Sequence, residues 1–83
     1  MIQGPALLRL LGNETCYGIL AALCTGERCA CELPTLVRKT QSNTSMHLAK
    51  LLDAGVVTMR KDGKKRIYRL ADPRIARLLA EAS

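Results

Sequence analysis

The hydrophobic and polar positions of the stretch 40–55 follow the period of an α-helix with one narrow apolar face. Three leucines near its end, Leu48, Leu51 and Leu52, recur at i, i+3 and i+4, which places them on one side of a helix. The stretch begins with a good N-cap residue and ends with a glycine, which can adopt the left-handed conformation that terminates helices. Between the cap and the leucines lies a polar run: Gln41, Ser42, Asn43, Thr44 and Ser45. The pattern predicts a helix over about 41–54 whose polar start suits contact with DNA base edges.

Three shorter helical patterns precede this stretch. They predict helices over about 5–11, 14–24 and 31–38. Pro5 suits the first turn of the first helix, and Asn13 can cap the second. The third helix should begin near Cys31, because Pro34 is tolerated only in a first helical turn. The third and fourth helices are joined by a short turn, and the fourth is polar at its start, which is typical of a helix-turn-helix.

After the glycine at position 55 the apolar positions over 56–70 follow a period of two, which is typical of strands. The pair Asp62-Gly63 near the middle is a strong signal for a hairpin turn. The hairpin carries a cluster of basic residues: Arg60, Lys61, Lys64, Lys65 and Arg66. The cluster predicts a basic wing that lies along a phosphate backbone. The alternative is an exposed hairpin whose lysines serve only solubility and edge protection.

A last helix is expected over about 73–82. Asp72 is a suitable N-cap, and Pro73 fits the first helical position. The apolar stripe of this helix consists of Ile75, Leu78 and Leu79. This stripe could cover the domain's own core or pair with a second copy of the chain. The order of elements predicts a mainly α chain with a β-hairpin wing, a winged helix-turn-helix in a single domain over 1–83.

Charge is distributed unevenly along the chain. The net charge is +6, and residues 38–74 hold ten of the thirteen basic residues and three acids, which is +7. A positive excess confined to the predicted helix-turn-helix and wing indicates a surface for a polyanion. Tyr17 and Tyr68 are the only aromatic residues, so there is no platform on which unpaired bases could stack, and duplex DNA is favoured. A positive surface that only aids solubility is the alternative.

The candidate DNA contacts follow from these patterns. The five polar residues at the start of the predicted recognition helix are candidates for base edges. Seven basic residues are candidates for phosphates: Lys39, Lys50, Arg60, Lys61, Lys64, Lys65 and Arg66. His47, the only histidine, lies in the same helix and could contact a phosphate or serve a structural role. With no apolar run of about 18 residues and no signal-peptide pattern, a cytoplasmic protein without a membrane partner is expected.

Four cysteines, Cys16, Cys24, Cys29 and Cys31, lie within sixteen residues. In an intracellular chain such a cluster favours metal or redox chemistry over a structural disulfide. The dipole at a helix start favours thiolates, which bind soft ions such as As(III), Cd(II), Pb(II) or Zn(II). Residues i and i+2 of a helix point about 200° apart. For Cys29 and Cys31 to hold one ion, Cys29 would have to lie outside the helix or distort its first turn.

Three interpretations of the cysteines stay open from the residues alone. An ion could bind Cys29 and Cys31 with a third sulfur from Cys16 or Cys24, of which we favour Cys16. The pair could instead act as a dithiol redox switch. The cysteines could also be small buried hydrophobic residues with no further function, a description that Cys24, at the apolar end of its helix, fits best.

The ordered set of elements and residues over about 11–79 resembles the ArsR/SmtB family of winged-helix repressors. The matching segments are Gly12-Asn13-Glu14-Thr15, Ile19-Leu20, Cys29-Ala30-Cys31-Glu32-Leu33, Gln41, Ser45, His47-Leu48, Leu51-Leu52, Ala54-Gly55-Val56-Val57 and Tyr68-Arg69-Leu70. The resemblance implies a homodimer that binds a palindromic operator and represses the adjacent genes; in many members a metal ion or metalloid relieves repression. It also implies a dimer contact formed by Leu7, Leu8, Leu11, Ile75, Leu78 and Leu79.

The chain departs from the family's ion sites at several positions. Pro34 stands where arsenic-sensing members often carry a third cysteine, residues 1–12 contain no cysteine, and no histidine follows Arg74. A protein-interaction module whose wing contacts an acidic partner is a rival to DNA binding. An enzyme is the least supported class, because the chain offers no plausible acid–base pair with its single histidine and no glycine loop that could cradle a phosphate.

Overall fold

The computed structural model describes residues 13–82, which form four helices and three strands. In chain order these are α1 (Glu14–Leu23), β1 (Arg28–Cys29), α2 (Leu33–Val37), α3 (Gln41–Asp53), β2 (Val57–Asp62), β3 (Lys65–Leu70) and α4 (Arg74–Ala82). The helices α2 and α3 form the helix-turn-helix, and β2 and β3 form the wing, so the predicted winged helix-turn-helix is confirmed. The helix expected over 5–11 lies outside the described residues. None of the helices in the described part of the chain is long and apolar enough to cross a membrane.

Side-chain caps hold the helix starts at the positions that the sequence indicates. The Asn13 side-chain oxygen accepts hydrogen bonds from two backbone N–H groups of α1 at 3.0 and 3.1 Å. The Thr40 hydroxyl accepts one from the N–H of Asn43 at 3.1 Å, and the Asp72 carboxylate accepts one from the N–H of Arg74 at 2.9 Å. Each cap satisfies an N–H group that has no partner within its own helix, which determines where that helix begins.

The wing is an antiparallel hairpin in which Asp62 pairs with Lys65. Its two-residue turn is therefore Gly63-Lys64, one residue later than the predicted centre. Gly63 has a φ angle of +64°, and Lys64 stays outside the left-handed region. This combination matches the type II′ turn, whose backbone twist suits the twist of paired strands and which needs a glycine at its first position.

A third strand, β1, extends the sheet on the other side of β3. Arg28 pairs with Tyr68 and Cys29 pairs with Ile67, so the strand order is β1-β3-β2. The sequence pattern does not indicate this strand, and the helix expected to begin near Cys31 begins at Leu33 instead. A strand of two residues is too short to show the alternation of apolar and polar residues that predicts a strand. It forms only because a neighbouring strand offers free backbone groups.

The core combines the inner faces of the helices with the inner side of the sheet. Its fully buried side chains include Ile19, Leu20, Leu33, Leu51, Val56 and Ile75. In α4, Ile75 and Leu79 are 1% and 4% exposed because they pack into this core, so their predicted place in a dimer contact is wrong. Leu78 is 42% exposed and stays available for such a contact. The other predicted dimer residues, Leu7, Leu8 and Leu11, lie outside the described residues.

Removal of the cap on α3 tests its contribution to stability. We expect Thr40→Ala to lower the free energy of unfolding by about 1 kcal/mol, because the N–H of Asn43 loses its partner. Thr40→Ser keeps the hydroxyl and is the control, with a change within about 0.5 kcal/mol. Urea titration followed by circular dichroism measures both variants, and equal losses in the two would contradict the role of the hydroxyl.

Candidate functional site

The recognition helix α3 presents two different faces. Its buried residues are Thr44, His47, Leu48 and Leu51. The Thr44 hydroxyl donates to the carbonyl of Thr40 at 2.8 Å, and the His47 ring nitrogen Nδ1 lies 2.8 Å from the carbonyl oxygen of Asn43. Both side chains are therefore engaged inside the domain. The helical period turns both residues toward the core, so the predicted base contact of Thr44 is wrong. His47 takes the structural role that was the alternative to a phosphate contact.

The opposite face of α3 is exposed and carries Gln41, Ser42, Ser45, Met46, Ala49, Lys50 and Asp53. The first three of these stay candidates for base edges. Asn43 lies at the border, since it is partly buried and its Oδ1 has no hydrogen-bond partner among the described residues. Met46 is 49% exposed. Met46 is absent from the predicted base contacts because these were chosen among polar side chains. Its exposure follows from the helical period of the exposed positions.

Exposed basic side chains lie on α3, on the turn before it and on the wing. They include all of the predicted phosphate contacts, together with two arginines that the sequence analysis did not select: Lys39, Lys50, Arg60, Lys61, Lys64, Lys65 and Arg66, with Arg38 and Arg69 in addition. Arg60 also pairs with acids, at 3.1 Å from the Glu27 carboxylate and 3.9 Å from that of Asp62. The hydrogen bond from Arg60 lowers the pKa of Glu27, so this pair is charged at neutral pH. Arg60 consequently adds less net positive charge to the surface than an unpaired arginine would.

Cys29 and Cys31 form a hydrogen-bonded pair just before α2. Cys29 ends β1 and is 9% exposed, whereas Cys31 is exposed in the turn that follows. The backbone N–H of Cys31 donates to the Sγ of Cys29 at 3.3 Å. Hydrogen bonds from the Cys31 thiol and from this N–H lower the pKa of Cys29, and the charge of Lys65 on the wing adds to the effect. The bond to Cys29 raises the pKa of Cys31, so the pair favours one thiolate and one thiol.

The other two cysteines do not join this pair. Cys16 lies on the buried face of α1 at 1% exposure, and burial raises the pKa of its thiol. Cys24 is exposed at the end of α1. Within residues 13–82, no three Cys, His, Asp or Glu side chains lie close enough together to hold a metal ion. The prediction of Cys16 as a third ligand is therefore wrong, and Cys16, rather than Cys24, is the buried hydrophobic cysteine.

The cysteine pair is joined to the wing through the sheet. Cys29 pairs with Ile67 of β3, and the N–H of Ala30 donates to the carbonyl of Arg66 at 2.9 Å. The N–H of Cys29 donates to the Glu32 carboxylate at 3.2 Å, and the N–H of Glu32 donates to the Cys29 carbonyl at 2.9 Å. A displacement of Cys29 would therefore reach both the basic strand β3 and the start of α2.

The sequence matches known regulators. The pattern of the family described as "Bacterial regulatory protein, arsR family" covers residues 13–59, more than half of the chain. The "Probable mercury resistance operon repressor" of Streptomyces lividans is 38% identical over 71 residues, which are 86% of this chain and 57% of that protein. The "Arsenical resistance operon repressor" of Escherichia coli (strain K12) is 41% identical over 66 residues, 78% of this chain and 56% of that protein. The chain thus spans little more than half the length of these curated relatives.

The fold matches a solved structure from Mycobacterium bovis, with a TM-score of 0.84 and 29% sequence identity. The match covers 94% of this chain and 72% of the other chain. That structure is described as the homodimeric winged helix-turn-helix DNA-binding domain of a possible ArsR-family transcriptional regulator. The extent of the match shows that the sheet is shared as well as the helices.

The pKa shifts of the thiols predict different pH dependences of their reactivity. Iodoacetamide alkylates thiolates, so the alkylation rate of Cys29 should reach its midpoint at lower pH than that of Cys24, whose pKa partial burial raises. Cys31→Ala removes the thiol donor and should raise the midpoint of Cys29. Mass spectrometry after timed alkylation from about pH 6 to about pH 10 measures each site. A Cys29 midpoint that matches Cys24, or that Cys31→Ala leaves unchanged, would contradict the hydrogen-bonded pair.

Proposed function

The chain belongs to the ArsR family of bacterial regulatory proteins, and we propose that it is a homodimeric repressor that binds double-stranded operator DNA. In this proposal a soft metal or metalloid ion, bound at Cys29 and Cys31, releases the protein from its operator. The observation that carries the proposal is the exposed, largely polar face of α3, accompanied by a wing whose basic residues are exposed. Because the target is genomic DNA, the site of action is the cytoplasm.

The exposed face of α3 has the shape and chemistry of a major-groove reader. An α-helix fits the major groove, where hydroxyl and amide side chains can bond to base edges. Gln41, Ser42 and Ser45 occupy the first turns of α3, which are the turns that enter the groove in a helix-turn-helix. Lysines of the wing and of the turn before α3 supply phosphate contacts, which position the helix without selecting a sequence.

Two copies are required because a single recognition helix contacts only a few base pairs. In a dimer, two α3 helices about 34 Å apart would read two half-sites in successive major grooves. Leu78 of α4 is the exposed described residue that we assign to the dimer contact, with Leu7, Leu8 and Leu11 added by resemblance to the family. The homodimeric Mycobacterium bovis domain supports this assembly.

The cysteine pair supports a soft ion as the signal. The lowered pKa of Cys29 favours a thiolate, and thiolates prefer soft ions. The described residues supply two sulfur atoms and no third ligand. Two thiolates can complete the coordination of an ion such as Hg(II). As(III) or Cd(II) would need a further ligand, either from outside residues 13–82 or from a free thiol. The relatives named for mercury and arsenical resistance support this class of ion.

The sheet provides the route by which the ion would act. Gathering two sulfur atoms around one ion displaces Cys29, which pairs with Ile67 of β3. The strand β3 begins with Lys65 and Arg66, so the displacement changes where the wing meets phosphates. Coupling of about 1–3 kcal/mol is typical between such sites. Because Cys29 lies on a strand, the route would run through the sheet, and the hydrogen bonds between Cys29 and Glu32 would carry the displacement to the start of α2 as well.

A dithiol redox switch is the second candidate, and the hydrogen bond between Cys29 and Cys31 favours it. The Cys29 thiolate would attack a peroxide, giving a sulfenic acid and releasing hydroxide. The Cys31 sulfur would then form the disulfide as the sulfenic oxygen leaves as water. Mild oxidation would remove two hydrogen atoms from the protein, a change that mass spectrometry detects.

DNA binding tests the first part of the proposal. The probe is a duplex that the protein selects from random sequences, and its affinity should fall as the salt concentration rises. The slope of log K against log salt concentration should be roughly −0.9 for each neutralised phosphate. Lys64→Gln should reduce this slope by about 0.9 per protomer. Arg60→Gln should reduce it less, because Glu27 already pairs with Arg60. Fluorescence anisotropy over a salt series measures all three proteins. Salt-independent binding would contradict the phosphate contacts, and no binding to any duplex would contradict the proposal and favour an acidic protein partner.

Ion binding tests the second part. Anaerobic titration of the reduced protein with Hg(II), As(III) and Cd(II) in turn should reveal an ultraviolet sulfur-to-ion charge-transfer band with at least one of them. The band should disappear in Cys29→Ser and Cys31→Ser and persist in Cys24→Ser, the exposed control. A saturating amount of that ion should weaken operator affinity by roughly 5- to 150-fold. Equal operator affinity with and without the ion would refute release, and no band with any ion would favour the redox candidate.

A further inference from the structure

Met46 occupies the centre of the exposed face of α3. It is the only exposed large apolar side chain of this helix, at 49% exposure. At 3.6 residues per turn it lies about 40° around the helix axis from Ser42 and about 60° from Ala49, and both of these neighbours are exposed. The three residues form the outermost line of the helix, opposite the buried line of Thr44, His47 and Leu51.

The core of the domain does not use Met46, since α3 packs inward through its opposite face. A flexible, unbranched apolar side chain thus stands in water among hydroxyl, amide and ammonium groups. Contact with an apolar group would be favourable here, because it removes apolar surface from water. A methionine also adapts its shape to a partner more readily than a branched side chain does.

We infer that Met46, with Ala49 beside it, contacts the 5-methyl group of a thymine in each operator half-site and so selects thymine at that position. The inference rests on the proposed function. Base edges in the major groove present donors and acceptors, and the thymine methyl is their apolar feature. Ser42 and Ser45 flank Met46 on the same face and can bond to the polar edges of neighbouring bases.

The charge around this face favours DNA over a second copy of the chain as its partner. Lys50 and the acid Asp53 share the face with Met46, and Lys39 is exposed in the turn that leads into α3. The surface around Met46 therefore keeps a net positive charge, and contact between two such surfaces would be unfavourable. DNA phosphates would instead neutralise these charges while the base edges meet Met46.

Deoxyuridine tests the inference because it differs from thymidine only by the missing 5-methyl group. The probe is a duplex selected by the wild-type protein from random sequences, with each thymine of one half-site replaced in turn. We expect one position at which the wild type loses roughly fourfold in affinity. At that position Met46→Ala should show a much smaller penalty, because only Ala49 remains in contact with the methyl group. Met59→Ala, which truncates the same type of side chain on the wing, is the control and should keep the full penalty.

Each outcome decides the inference. A deoxyuridine penalty that persists in full in Met46→Ala, or no penalty at any thymine, would overturn the inference while leaving DNA binding intact. Failure of the wild type to bind any duplex would overturn the proposed function as well. Loss of the dimer in Met46→Ala, measured by light scattering, would assign the side chain to a contact between copies. Alanine is a strong helix former at an exposed position, and thermal melting should show that the variant remains folded.

Discussion

The packing of one face of α3 against the core determines which side chains of this helix are exposed and available to a partner. Leu48 and Leu51 are buried and set the rotation of the helix about its own axis. Once that rotation is set, Thr44 and His47 point inward, where backbone carbonyls of their own helix satisfy them. Met46 and the serines around it must then face outward. A rotation by one residue, about 100°, would exchange these roles, so the core packing and the proposed DNA-reading surface depend on a single constraint.

The second constraint is the pairing of β1 with β3, which places thiol chemistry and basic charge in one sheet. Without that pairing Cys29 would belong to a loop, and its position would have little bearing on the wing. With it, Cys29 lies in register with Ile67, and the N–H of Ala30 bonds to the carbonyl of Arg66. These hydrogen bonds fix the position of Cys29 relative to β3, because their length and direction tolerate little change. The proposed phosphate contacts Lys65 and Arg66 therefore lie within two residues of Ile67, the partner of Cys29.

Burial divides the four cysteines into different chemical classes. Cys16 is enclosed by apolar neighbours, which disfavour its charged form and raise its pKa. Cys29 is also largely buried, but the hydrogen bonds from Cys31 and the nearby Lys65 favour its thiolate and lower its pKa. The pKa shifts of the two thiols are thus opposite, because burial has the largest effect at Cys16 and hydrogen bonding has the largest effect at Cys29. Cys16 contributes to packing, whereas Cys29 and Cys31 form the hydrogen-bonded pair to which the proposed function assigns ion binding or oxidation.

Local signals in the sequence determined where the elements begin and turn: Asn13, Thr40 and Asp72 cap helices because each offers an oxygen to N–H groups a few residues away. The end of α3 at the glycine at position 55 and the basic hairpin are likewise indicated by residues close together in the sequence. The charge of the wing follows from its composition alone. Only the tertiary structure decided that Arg28–Cys29 is a strand, because its partner is β3, almost forty residues later in the chain. It also decided that Cys16 is buried while Cys24 is exposed, and that Ile75 and Leu79 belong to the core. Such outcomes depend on which surfaces pack against each other, and the pattern within one segment does not show which other segment will cover it.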